Sequence, residues 1–141
     1  MEDILRFKKT KLAFLSTRLL NTPFWALFMM LKFILCKDLK ATELQITVFI
    51  ALAPLVSILS VYWSSTIHKR RDLLLSNVIL ANIIKHIPFF FFPFVDNPWF
   101  FVFAASLFML FNRSSMPAWM EILKLNLPKQ ARERVFAQGT T

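Results

Sequence analysis

No charged residue interrupts the stretch LQITVFIALAPLVSILSVYW, residues Leu44–Trp63, which gives the clearest signal of fold class in the sequence. A run of about 20 apolar residues is long enough to cross the hydrocarbon core of a bilayer as a helix. Backbone groups in lipid must be hydrogen-bonded within the protein, which leaves helices and closed barrels, and this run lacks the alternation of a barrel strand. It therefore predicts a transmembrane helix.

Three further stretches are apolar enough to span a membrane, although each contains a few polar or charged residues. We predict an all-α membrane protein with four transmembrane helices. Their approximate bounds are 19–36, 44–63, 73–95 and 99–123, between a basic N-terminal segment, 1–18, and a basic tail, 124–141.

The composition excludes most other classes of protein. The chain is 57% apolar, with 17 Phe and one Gly in 141 residues, and a soluble domain of this size would expose too much apolar surface. The net charge is +9, and in so apolar a chain this is typical of a membrane protein whose basic loops meet anionic lipid headgroups. We therefore expect a bilayer rather than nucleic acid as the partner. The single cysteine, Cys36, excludes a disulfide framework.

The distribution of Lys and Arg predicts the orientation. Basic residues are concentrated in the N-terminal segment, in the connection 64–72 and in the tail, whereas the other two connections hold only Lys37 and Lys40. Because Lys and Arg accumulate on the cytoplasmic side, both termini are predicted to be cytoplasmic. Hydropathy predicts a multi-pass protein of the inner (plasma) membrane.

No arrangement of residues typical of an enzyme occurs in the sequence. A phosphate-binding Gly-rich loop, a metal-binding pair of histidines and paired carboxylates within a span are all missing, so we expect neither an enzyme nor a cofactor or metal.

Basic side chains inside the predicted spans are the main functional candidates, since a charge there is costly to insert. Lys85 lies near the middle of its span and shares a helix face with Asn82 and His86, which predicts an intramembrane polar cluster. Lys32 and Arg113 are the other two basic residues inside the predicted spans. Because no carboxylate lies in the middle of a span, a positive cavity that accepts an anionic solute is expected. The alternative for each is a snorkelling or structural role.

Several segments together resemble a known family, the major facilitator superfamily. The resemblance runs from about Arg18 to Phe136 and depends on order and spacing rather than on one strong motif. The segments are Ala41–Ile46 and Leu52–Ser64, similar to the entry and body of helix two; Ser65–Asp72 and Leu73–Leu75, similar to the basic loop and helix three; and Ser114–Met120 with Pro128, Arg132, Arg134, Val135 and Phe136, similar to the end of helix four and the following loop.

The resemblance implies the first four helices of a secondary transporter that rocks two six-helix halves about a central site. It implies a substrate path lined by Asn21, Lys32 and Arg113. It also implies a cytoplasmic gating loop of Lys69, Arg70, Arg71 and Asp72.

Two features depart from the family pattern. The loop has Ser64 and His68 where the family has a glycine and an aspartate, and the second glycine is missing. The sequence ends at Thr141, where helix five is expected, so we expect a partial or truncated transporter, or one whose remaining helices come from a companion chain. Two alternatives stay open: a four-helix membrane protein that assembles with or regulates another membrane protein, and a basic peripheral or nucleic-acid-associated protein that high salt would extract.

Overall fold

The computed structural model describes residues 2–140, without the side chains at positions 2, 3, 64, 66–69, 71 and 140. Within that range the chain is helical and contains no strand. The main helices are α1 (Glu2–Phe33), α2 (Glu43–Lys69), α3 (Leu74–Phe90), α4 (Pro98–Asn126) and α5 (Lys129–Thr140). Short segments follow three of them: a π-helical turn, Ile34–Asp38, and two 3₁₀ turns, Arg71–Leu73 and Phe92–Phe94.

Four helices in the described range are long and apolar enough to cross a membrane: Ile4–Asp38, Glu43–Trp63, Leu74–Phe94 and Pro98–Asn126. The prediction of an all-helical chain with four helices long and apolar enough to span a membrane is confirmed. Their outer surfaces carry many exposed Leu, Ile and Phe side chains, as expected of helices that face lipid.

The helices differ in detail from the predicted spans. The first is one continuous helix from Glu2, which joins the basic N-terminal segment to the span, because its Leu, Lys, Ala and Arg residues favour a helix throughout. The third ends at Phe90 rather than near residue 95, because Pro93 has no N–H to donate to the carbonyl of Phe89.

Local capping explains where two helices begin. At the start of α2 the Thr42 N–H donates to Gln45 Oε1 at 2.8 Å, and the Gln45 N–H donates to Thr42 Oγ1, a capping box. At the start of α4 the Asn97 side chain accepts a hydrogen bond from the Trp99 N–H, and Pro98 occupies the first helical position.

Helix α4 is the centre of the bundle and packs against α1, α2 and α3. Helix α5 folds back onto the N-terminal half of α1, where Val135 is buried and the ring of Phe136 stacks on Phe14. The basic tail therefore contains a helix that is packed against the bundle.

Two hydrophobic cores lie along the bundle. We call the first the terminal core, since it includes residues of α5: Phe14, Leu74, Val78, Ala118, Trp119, Leu123, Leu127 and Val135. We call the second the aromatic core: Phe28, Leu31, Leu35, Phe89, Phe101, Val102, Ala105 and Phe108.

Candidate functional site

A layer of polar side chains separates the two cores. On α1 the order is Phe14, then Arg18 and Asn21, then Phe28, and α3 and α4 show the same change from apolar to polar to apolar. We define the polar layer as Arg18, Asn21, Asn82, Lys85, His86 and Asn112, which come from three different helices. A polar layer inside an apolar bundle is a candidate functional site, because polar groups at this depth are costly.

Lys85 is the most deeply buried charge in this layer, with 2% of its surface exposed. Its Nζ donates to Oδ1 of Asn112 on α4 at 3.3 Å. The ring of Phe108 lies beneath the ammonium, with the ring centroid 5.9 Å from Nζ, a distance at which cation–π attraction contributes. An ammonium group has three N–H donors, and this arrangement uses one of them in a conventional hydrogen bond.

Two asparagines and a histidine connect the three helices around Lys85. Asn21 is 3% exposed, and its Nδ2 donates to the same Asn112 Oδ1 at 3.4 Å, so that one carbonyl oxygen receives two donors. The Asn21 Oδ1 lies 3.1 Å from His86 Nε2, which donates in this arrangement because Oδ1 is an acceptor. Phe24 packs on the imidazole with 4.1 Å between ring centroids.

Arg18 supplies a second cation to the polar layer. Its guanidinium lies over the ring of Phe14 at 5.3 Å and donates to the Sδ of Met116. Its Nε is buried without a hydrogen-bond partner, and so is Oδ1 of Asn82. A buried polar atom without a partner costs about 1–3 kcal/mol, so both atoms indicate a place where water or a ligand group is accepted.

A small cavity of about 10 Å³ lies among these groups. That space holds about one water molecule and excludes an organic solute in this conformation. Arg18 and Lys85 line the cavity, and among the described side chains no carboxylate does. The polar layer is therefore a positively charged and narrow site.

The structure brings together part of the predicted set of site residues. Asn21, predicted on the substrate path, meets the predicted cluster of Asn82, Lys85 and His86. Lys32 is exposed on the outer surface of α1. Arg113 is exposed as well and donates to Ser57 Oγ on α2. A path through Lys32 and Arg113 stays a prediction.

The predicted gating loop spans the junction of α2 and α3. Helix α2 continues to Lys69, and a 3₁₀ turn begins at Arg71. Arg70 and Asp72 are exposed, whereas the side chains of Lys69 and Arg71 lie outside the described residues. The role of this loop stays a prediction.

Sequence reasoning missed two members of the polar layer, Arg18 and Asn112. Arg18 was assigned to the basic N-terminal segment, although it lies three residues before Asn21 and so shares a helix face with it. Asn112 was overlooked beside the charged Arg113. A search for every polar residue inside an apolar run, rather than for charges alone, would have found Asn112.

No protein-family model, curated protein or solved structure matches this chain. Among the described residues, no group of three His, Cys, Asp or Glu side chains is arranged to hold a metal ion.

Proposed function

We propose that this chain is part of a membrane transporter of the major facilitator type that moves a small anion. The observation that carries the proposal is Lys85, buried in the polar layer with a second cation, Arg18, and with no carboxylate among the described lining groups. The order of the four membrane-spanning helices, and the segments that resemble the family, support the transporter class.

The charge of the polar layer favours an anion. A buried cation in low dielectric attracts a negative partner strongly and repels a second cation. Asn21, Asn82 and Asn112 add amide groups whose N–H donors can replace part of the hydration of an anion. Because the cavity is too small for anything larger than water, transport requires the helices to move, as alternating access does.

We also propose that both termini lie in the cytoplasm and that the chain resides in the inner (plasma) membrane. The single cysteine gives a direct test, because Cys36 is exposed in the π-helical turn that follows α1, at the end opposite the N-terminus. A membrane-impermeant maleimide added to intact cells should label Cys36. In a C36S background, a cysteine at the exposed position Ser65 should be labelled only after the cells are permeabilised. The reverse pattern would contradict the proposed orientation.

The transport proposal is tested by flux. The protein is isolated with any co-purifying chain and reconstituted in liposomes. Uptake into these liposomes is then measured for a panel of labelled inorganic and organic anions, with cations as controls. We expect anion uptake that Lys85→Met removes. Lys37→Met removes a charge from an exposed position outside the polar layer and should keep the uptake. Equal uptake of cations, or uptake that survives Lys85→Met, would contradict the proposal.

A second candidate is a membrane protein that assembles with another membrane protein without transporting a solute. An apolar groove of about 640 Å³ between α1 and α3 favours it, lined by side chains that include Leu20, Phe24 and Ile83. A helix of a partner would fit such a groove. Photo-crosslinking from position 83 to a single partner, together with no anion flux in the assembled complex, would favour this candidate over transport.

A further inference from the structure

A second charged feature lies at the opposite side of the terminal core from the polar layer, between α1 and α5. It is a cleft of about 660 Å³, which is large enough for a phosphate group with a small organic body. We call it the α1–α5 cleft. Its basic lining side chains are Lys11, Lys129 and Arg134, and its apolar wall includes Phe7, Pro128 and Val135.

Among the described side chains, the charges in this cleft have no acidic counterpart. Lys11, Lys129 and Arg134 form no ion pair within the part of the chain that the structure describes. Glu133 is the only acidic residue of α5, and it is exposed and does not line the cleft. Three cations on two helices that converge on one space are therefore available to an anion. Lys and Arg together are well suited to phosphate, since Arg can donate two parallel hydrogen bonds and Lys adds a compact charge.

The position of the cleft identifies the surroundings of that anion. Helix α1 and its π-helical turn run from Glu2 to Asp38, a rise of about 55 Å, whereas the hydrocarbon core is about 30 Å thick. The excess of about 25 Å is longer than the two headgroup layers, which together add about 10–15 Å, so α1 crosses the headgroup region and its basic N-terminal turns lie beside and beyond that region. Ile4, Leu5 and Leu12 are exposed on the same part of α1, so that exposed apolar side chains accompany the basic ones, as in a helix at a membrane interface.

We propose that the α1–α5 cleft binds a phosphate group, and that the headgroup of an anionic phospholipid supplies it. The apolar wall accommodates the start of the glycerol and acyl region, and the three cations hold the phosphate. Helix α5 is packed on α1 through Val135 and Phe136, so a bound lipid would join both helices. This proposal is independent of the transport function, because none of these residues belongs to the polar layer.

The test measures lipid retention by the full chain in nanodiscs of phosphatidylcholine. A short-chain phosphatidylglycerol is titrated, and bound lipid is counted by native mass spectrometry. We expect the triple variant K11Q/K129Q/R134Q to lose affinity for the phosphatidylglycerol. Its apparent affinity should be at least tenfold lower than that of the control K8Q/K9Q/R132Q. The control removes the same number of charges from the same two helices, at residues that do not line the cleft. An equal loss in both variants would mean a diffuse attraction to the whole basic surface and would overturn the proposal.

Two further measurements are needed. The first asks whether the bound phosphate belongs to a lipid or to a soluble ligand, and the second asks whether loss of binding reflects loss of the folded structure. Inorganic phosphate is titrated against the same proteins, both without lipid and with the lipid bound. It should bind by itself and displace the lipid, whereas chloride at equal ionic strength should do neither. Phosphate binding that depends on the three residues, without lipid retention, would keep the site but assign it to a soluble ligand. The variant K11R/K129R/R134K keeps the charges and should restore binding, and failure to do so with native helix content would overturn the proposal.

Discussion

The polar layer and the aromatic core lie next to each other on the same three helices and are held together in different ways. The aromatic core is filled with rings, and Phe28 and Phe108 stack at 5.3 Å between centroids while Leu31 is fully buried. The polar layer has two unpartnered buried atoms and a carbonyl oxygen shared by two donors. Packing therefore stabilises this bundle, whereas the polar layer lowers its stability, as functional sites commonly do.

The largest expected effect is on the aromatic core. Leu31→Ala should lower the free energy of unfolding by about 2–5 kcal/mol, because it opens a cavity at a fully buried position. Leu27→Ala is the matched control, since the same side chain there is 40% exposed on the outer surface. Denaturant titration in micelles, followed by tryptophan fluorescence, measures both. Equal losses would mean that hydropathy rather than packing stabilises this region.

A smaller effect is expected in the polar layer. Asn112→Leu removes the acceptor of Lys85 and Asn21, and should cost about 1–3 kcal/mol because it leaves a buried ammonium without its hydrogen bond. Adding Lys85→Met should recover most of that loss, since a buried cation without a partner is then no longer present. The same unfolding titration gives the double-mutant cycle. Strictly additive losses would contradict the coupling of these two side chains.

The third prediction concerns the close approach of α5 to α1. A Cβ added at Gly139 would lie 2.5 Å from Cε1 of Phe14, which is itself 1% exposed. Gly139→Ala should loosen α5 by about 1 kcal/mol through overpacking, and leave the aromatic core unchanged. Hydrogen exchange should rise in α5 and not around Phe108. Unchanged protection of α5 would show that the Phe14 ring moves aside freely.

The smallest effect is expected at Lys32. Its side chain is exposed six residues before the end of the first span, Ile4–Asp38, where a Lys can extend its charge to the interface. Lys32→Met should therefore change the free energy of unfolding by no more than about 0.5 kcal/mol. Any larger change would place Lys32 in a structural role that its exposure does not indicate. Measured beside Lys85→Met, the variant also separates the effect of a buried charge from that of an exposed one.

The spans were predictable because hydropathy is a local property that survives any arrangement of the helices. The polar cluster was predictable in part, since Asn82, Lys85 and His86 share one face of one helix. Its partners were not, because nothing in the spacing shows which faces of different helices meet. Arg18 was hidden by its basic neighbours, and its depth depends on α1 being one continuous helix from Glu2.

Residue type and order are enough to establish four helices long and apolar enough to span a membrane, a strong positive charge, and the lack of carboxylates in the middle of the predicted spans. The packing of the helices was needed to show that Arg18, Asn21, Lys85 and Asn112 form one layer, and that Lys32 is exposed. It also decided that α5 returns to α1 and forms a basic cleft with it. Such contacts join residues far apart in the chain, and their geometry depends on how whole helices pack around α4.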